Sequence, residues 1–293
     1  MRNLLMMLMI MAALLCSCDE VPSHADVESM LVVEGWIETD GFPVVIVTRS
    51  MPVNDDYRDP DELNDYLVRW ARVAVTDGTD TVVLTGKYDD GYFPPYIYTT
   101  TRMRGRSGGY YTVLVEYGDM RASATTTIPA GVPPCSFRVE PSNDADTLFQ
   151  VIARFEDFPQ EKNYYQFFTR VGSDNKQYLA SYLGSVDDAV LGAFTELPIY
   201  RGHHFTAQEY TPYYRMGDTL SVKFAQVDEA SYRFWNNYTK NLSLSGNMFL
   251  SSDTHLFSNM NGGTGFWYGM AAVTDFIVIG DSVKSQGLTG TNR

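Results

Sequence analysis

Arg72-Val73-Ala74-Val75-Thr76, then Asp77-Gly78, then Thr81-Val82-Val83-Leu84, is the stretch on which the fold turns. Its first segment alternates and its second is β-branched, so each predicts a short strand. Asp-Gly between them supplies the backbone freedom that a tight hairpin requires. The pattern extends upstream. Met30-Leu31-Val32-Val33-Glu34-Gly35-Trp36-Ile37 is apolar and β-branched, Thr39-Asp40-Gly41 is a turn, and Val44 to Thr48 is apolar on both faces, as a central strand would be. Met51 to Asn64, with two prolines and a run of acidic residues, predicts an exposed loop.

Downstream, Asp89-Asp90-Gly91 marks another turn, and Gly109–Tyr117 and Ala122–Ile128 pair around Gly118-Asp119. About seven short strands over roughly a hundred residues predict an N-terminal immunoglobulin-like or transthyretin-like β-sandwich over 29–130. Pro129-Ala130-Gly131-Val132-Pro133-Pro134 forbids regular pairing and sets the boundary. The second part, 135–281, is expected to be a β-rich domain. Its candidate strands are Thr147–Phe155, Tyr164–Val171, Gln177–Leu183, Thr219–Gln226, Asn247–Leu250 and Phe266–Ile279, the last with a possible break at Ala271. One amphipathic helix is expected near 228–242, with Asp228 as N-cap and Tyr232, Trp235, Tyr238 and Leu242 on one face. Residues 282–293 read as a flexible tail. The chain is therefore expected to be mainly β, a sandwich followed by a β-rich domain with one helix.

The N-terminus carries a different signal. Arg2 leads an apolar run from Leu4 to Leu15, too short for a resident membrane helix, which needs roughly 20 apolar residues. Residues 1–17 have the anatomy of a signal peptide. Leu15-Cys16-Ser17-Cys18 looks like a bacterial lipobox, with Cys18 as lipid acceptor and small Ser17 before it. Residues 18–28 read as a polar tether, and Asp19 and Glu20 resemble the surface-export signal of Bacteroidota lipoproteins. The expected location is the outer membrane, lipid-anchored and surface-exposed. A net charge of −14 argues against a nucleic-acid partner. Past the anchor only Cys135 remains, so no disulfide is expected within the body, and that thiol reads as a small buried residue opening the second domain.

Several stretches, in order, resemble one family, the Bacteroidota outer-membrane lipoproteins catalogued as domain-of-unknown-function family 4249. They are the lipobox ending at Cys18, Leu31–Ile37, Arg49-Ser50, Tyr110-Tyr111-Thr112-Val113, Ile128-Pro129, Phe155-Glu156-Asp157-Phe158-Pro159, Asn163-Tyr164-Tyr165, and Phe257 to Phe266 with its Asn261-Gly262-Gly263-Thr264-Gly265 core. The acidic segment from Met51 to Trp70 and Met260 depart from the family's pattern. The resemblance implies a surface-associated partner of a TonB-dependent transporter involved in nutrient uptake, with no catalytic activity assigned.

The residues offer no strong catalytic set. His203-His204 are adjacent in a loop, and neither they, His24 nor His255 have the spacing of zinc ligands. No metal and no cofactor are expected. Gly280-Asp281-Ser282-Val283 superficially resembles an esterase nucleophile block, but only ten residues follow Val283, and no Gly-x-Ser-x-Gly elbow occurs. Gly262-Gly263-Thr264-Gly265 lacks the Lys-Ser/Thr of a phosphate loop, and is expected to permit positive φ and a close backbone approach before the final strand. Asp80-Thr81, Asp146-Thr147, Asp218-Thr219 and Asp281-Ser282 resemble short O-glycosylation motifs and also fit turn-to-strand junctions.

Aromatic clusters are the remaining functional candidates. Tyr92 and Tyr96, Tyr213, and Trp267 with Tyr268 could serve a glycan or peptide ligand, or a protein interface. The resulting expectation is a non-catalytic envelope lipoprotein, an accessory or ligand-binding partner of a TonB-dependent transporter. A surface hydrolase acting on glycans or peptides is the first alternative, requiring two carboxylates about 5–9.5 Å apart or a metal. A structural or adhesion lipoprotein is the second.

Overall fold

Alternation along the first strand organises the molecule. In β1 (Leu31–Glu38), Leu31, Val33, Gly35 and Ile37 point to one face, and Val32, Glu34, Trp36 and Glu38 to the other. The computed structural model describes residues 29–50, 64–145, 147–158, 162–172, 176–187, 194–202, 210–244 and 257–280. The signal peptide, the tether with Cys18, Asp19 and Glu20, most of the acidic segment, the candidate strand Asn247–Leu250, all four histidines and the tail lie outside these residues.

The fold is mainly β. β2 (Val44–Arg49), β3 (Arg72–Thr76), β4 (Thr81–Val83), β5 (Thr85–Tyr88), β6 (Tyr96–Thr99), β7 (Tyr110–Tyr117) and β8 (Met120–Thr127) follow β1. The Asp77-Gly78 hairpin forms as expected, with Gly78 at φ 87° and antiparallel pairing of β3 with β4. Beyond the proline-rich segment come β9 (Cys135–Pro141), β10 (Leu148–Phe155), β11 (Tyr164–Val171), β12 (Leu179–Asp187), β13 (Thr195–Ile199), β14 (Tyr214–Arg215) and β15 (Thr219–Val227). The helix α1 (Glu229–Leu244) and the long strand β16 (Thr264–Val278) close the described fold. β16 runs through Ala271 without a break. β5, β6, β9, β13 and β14 were not among the expected strands. Pro198 inside β13 removes a backbone donor, which is tolerated because β13 is an edge strand pairing only β10.

An eight-stranded sheet in the order β12-β11-β15-β16-β1-β2-β6-β5 spans the described fold, and among the described residues no barrel closes. All its pairings are antiparallel except β1 with β16. That parallel pair joins the first and last described strands, so the sheet continues across the proline-rich segment at 129–134. The sheet β4-β3-β7-β8 covers one end of its face, completing the N-terminal sandwich around Val33, Val45, Val73, Val113 and Trp267. β9, β10, β13 and β14 cover the other end of the same face around Phe155, Phe167, Val222 and Ile277. Cys135 is 4% exposed and opens β9 in this second core, as its sequence position suggested.

The glycine segment behaves as expected. Gly265 has φ +114°, and a Cβ there would lie 2.0 Å from the Val33 carbonyl oxygen. Only glycine lets β16 come alongside β1 at this point.

The opposite face of the large sheet is covered differently. α1 packs over Phe168, Phe266 and Tyr268 through Tyr232, Phe234 and Trp235. Asp228 caps it, its carboxylate accepting from the Ser231 amide at 2.8 Å and the Ser231 hydroxyl at 2.6 Å. No described helix is long and apolar enough to cross a membrane.

Candidate functional site

α1 covers only part of its face. Beside it lies a cavity of about 470 Å³, reached by residues from both halves of the chain. Its floor is the large sheet. β1 contributes Glu34, Trp36 and Glu38, β2 contributes Val44, and β6 contributes Ile97 and Thr99. β16 contributes Tyr268 and Met270, β15 contributes Lys223, and β11 contributes Phe168. The register puts these groups together: Trp36 is opposite Tyr268, Glu38 opposite Met270, and Val227 opposite Met270 from the other side. Their shared face follows from the period-two geometry of strands.

Two loops, one from each half, form a wall. Asp89 is 8% exposed and receives the Lys176 ammonium at 2.8 Å and the Lys87 ammonium at 3.1 Å. These charges, Lys176 foremost, hold its carboxyl below the usual range. Its carboxylate also accepts from the Gly91 amide at 3.2 Å, so Asp89-Asp90-Gly91 is the turn the sequence suggested. The Lys176 and Gln177 amides donate to the Gly91 carbonyl at 2.9 and 3.2 Å, and the Phe93 amide donates to Gln177 Oε1 at 3.1 Å. The wall is therefore built by contacts more than eighty residues apart in sequence.

On the floor, Lys223 is paired with Glu38 at 2.5 Å, and its ammonium lies 4.5 Å from the centroid of the Tyr178 ring. The rings form a continuous surface. Trp36 lies 6.2 Å from Tyr92 and 6.3 Å from Tyr268, and Trp235 meets Tyr268 edge-on at 5.7 Å. Trp235 also keeps its buried indole N–H without an acceptor among the described residues. Glu34 is the exception among these charges. Its side chain is accessible from the cavity, yet no described residue bonds to or pairs with it. Enclosure by the surrounding protein raises its pKa to about 7. Its partner across the β1–β16 pair is Phe266, and Tyr238 on α1 lies close enough to feel its charge.

The five aromatic candidates separate. Tyr92 and Tyr268 both line the cavity. Tyr96 packs edge-on against Tyr98 at 5.6 Å and donates its hydroxyl to the Arg69 carbonyl at 3.1 Å. Tyr213 stands in the second half with its ring against Tyr200 at 6.2 Å. Trp267 is 0% exposed, its indole N–H donating to the Tyr111 carbonyl at 3.1 Å. It has no surface to offer a ligand. Neighbours on a strand face opposite ways, so Tyr268 reaches the cavity while Trp267 fills the sandwich core.

The charged groups of the cavity, and the rings of Trp36, Phe168, Tyr178 and Trp235, escaped sequence reasoning. One signal was present: Glu34 interrupts the apolar run Leu31-Val32-Val33 just before Gly35-Trp36. A carboxylate there marks the face of β1 opposite the sandwich core.

Glu34 and Glu38 could be considered as a hydrolytic pair. They stand four residues apart on one strand, which separates their Cα atoms by about 13 Å, and Glu38 is already engaged by Lys223.

The chain belongs to the family described as a domain of unknown function (DUF4249), whose model matches residues 19–275. No curated protein matches it.

Proposed function

We propose that this DUF4249 chain is a non-catalytic lipoprotein of the cell envelope in a Bacteroidota outer membrane, acylated at Cys18 and surface-exposed. In this reading it serves a TonB-dependent transporter as a ligand-binding accessory. The observation that carries the binding role is the open, ring-floored cavity of about 470 Å³. Its size falls within the range of small-molecule sites, roughly 300–1,000 Å³, and its mixture of aromatic surface with a few placed charges suits recognition. The anchor rests on Leu15-Cys16-Ser17-Cys18, and the outward destination on Asp19-Glu20. Confinement to a membrane beside the transporter would raise effective concentration without a tight interface.

Two measurements test this. A tagged chain is recovered from gently solubilised outer membranes, and a TonB-dependent transporter is expected to co-purify above an unrelated lipoprotein control. Failure to do so removes the accessory role. Cys18→Ala is expected to release the protein from membranes or stall it as precursor, and unchanged fractionation would remove lipidation at that thiol.

A further inference from the structure

The charges lining the cavity are partnered with one exception. Glu38 holds Lys223, and Asp89 holds both Lys87 and Lys176. Glu34 has no hydrogen-bond or ion partner among the described residues, although it stands in the same cavity and on the same strand face as Trp36 and Glu38.

An isolated carboxylate over an aromatic floor favours one ligand chemistry. Ring faces are negative in their electrostatic profile, and with a carboxylate beside them they attract cations. The two ladder neighbours of Glu34, Phe266 on β16 and Ile46 on β2, are apolar and offer it no countercharge. Tyr268 on β16 and Tyr238 on α1 are the titratable groups that feel its charge, and the pKa of each is pushed up, Tyr238 mainly by burial and Tyr268 likewise. Glu38 adds a second acidic group on β1, neutralised by Lys223 from β15. A neutral polyol could accept or donate a hydrogen bond here, but it would leave the carboxylate's charge uncompensated.

We propose that the cavity takes an organic ammonium ligand, its charged nitrogen held by the Glu34 carboxylate and its carbon skeleton lying against Trp36, Tyr268 and Trp235. This rests on the cavity being the ligand site inferred above, and it adds the class of ligand.

The test uses the full chain and three probes of equal skeleton and different charge: phenethylamine, 2-phenylethanol and 3-phenylpropionate. Binding is followed by tryptophan emission, since Trp36 and Trp235 both line the site. At pH 8 the amine is expected to bind at least about tenfold tighter than the alcohol, with the carboxylate weakest, because only the cation gains a charge-assisted bond. Glu34→Gln is expected to abolish the amine's advantage while alcohol binding persists. Because the free carboxyl titrates near pH 7, amine affinity for the unaltered protein should fall about tenfold between pH 8 and pH 6. The Gln variant should show no such fall.

Equal or tighter binding of the alcohol or the carboxylate, unchanged by Glu34→Gln, overturns the ammonium proposal and leaves the cavity standing as a ligand site. No emission change with any probe, in a variant and parent that both melt cooperatively, overturns the cavity reading as well.

Discussion

Trp267 lies against Gly35 across the parallel pair of β1 and β16, so closely that a Cβ on Gly35 would come within 2.9 Å of the indole Cε3 atom. The glycine is the socket for the largest fully buried side chain in the described fold. This contact links the start of the described chain to its end. It also explains why two sequence features over 230 residues apart, Gly35-Trp36 and Phe266-Trp267-Tyr268, depend on one another.

Gly35→Ala therefore places a methyl group against Trp267 Cε3 and the Val44 carbonyl oxygen, the latter 3.0 Å away. Overpacking of this kind costs about 1–3 kcal/mol. Trp267→Ala leaves a void instead and is expected to cost about 3–5 kcal/mol. Urea titration measures both. Because the pair shares one space, the double variant should cost less than the sum of the two singles.

Asn259 completes β16 where no strand pairs with that side. Its Oδ1 accepts from the Trp267 amide at 3.0 Å, and its Nδ2 donates to the Trp267 carbonyl at 2.7 Å. Asn259→Ala leaves both main-chain groups without partners and is expected to destabilise by about 1–3 kcal/mol. Asn259→Asp keeps an acceptor but loses the donor, so it should not restore parental stability. Amide hydrogen exchange at Trp267 gives the local readout, with faster exchange expected in the Ala variant.

Glu34 makes stability fall as pH rises. Its folded pKa of about 7 stands above the ordinary 4.5, so between these values the folded state binds more protons than the unfolded one. The stabilisation from the neutral carboxyl is complete below about pH 4.5 and is lost as pH rises through 7. Glu34→Gln should remove this part of the dependence, giving a smaller loss of Tm between pH 5 and pH 8 than the parent. An identical slope in both proteins would show that Glu34 titrates normally.

Cys135 is expected to be chemically silent. Burial pushes its thiol up to about 12, with the negative charge of Asp275 adding to the effect, so almost no thiolate exists near neutrality. Iodoacetamide should label it only after denaturant unfolds the chain. Rapid labelling of the native protein at pH 8 would contradict its placement in the second core.

Much of the architecture is legible in local pattern. The Asp77-Gly78 hairpin, the alternating strands on both sides of it, the Asp228-capped helix and the positive-φ glycines before β16 follow from period, turn chemistry and capping, which act over a few residues. The edge strand β13 carries Pro198, a strand breaker by local rules, and only its place at the sheet's margin makes it acceptable. The same limit applies to the aromatics. Phe266, Trp267 and Tyr268 had to divide between two faces, but local pattern does not say which face holds a core and which a cavity.

What the amino-acid order by itself determined is the class of structure and its punctuation: short strands, turns at Asp-Gly, one amphipathic helix, a cysteine suited to burial. What only the tertiary structure decided is the joining of the chain's two halves into one sheet, and the cavity on the face that α1 leaves partly open. The physical reason is that strand pairing and pocket formation are non-local. Glu34, Lys223 and Lys176 become neighbours of a single space only when β1 meets β16, β16 meets β15, and the Asp89 turn closes on the loop at Lys176.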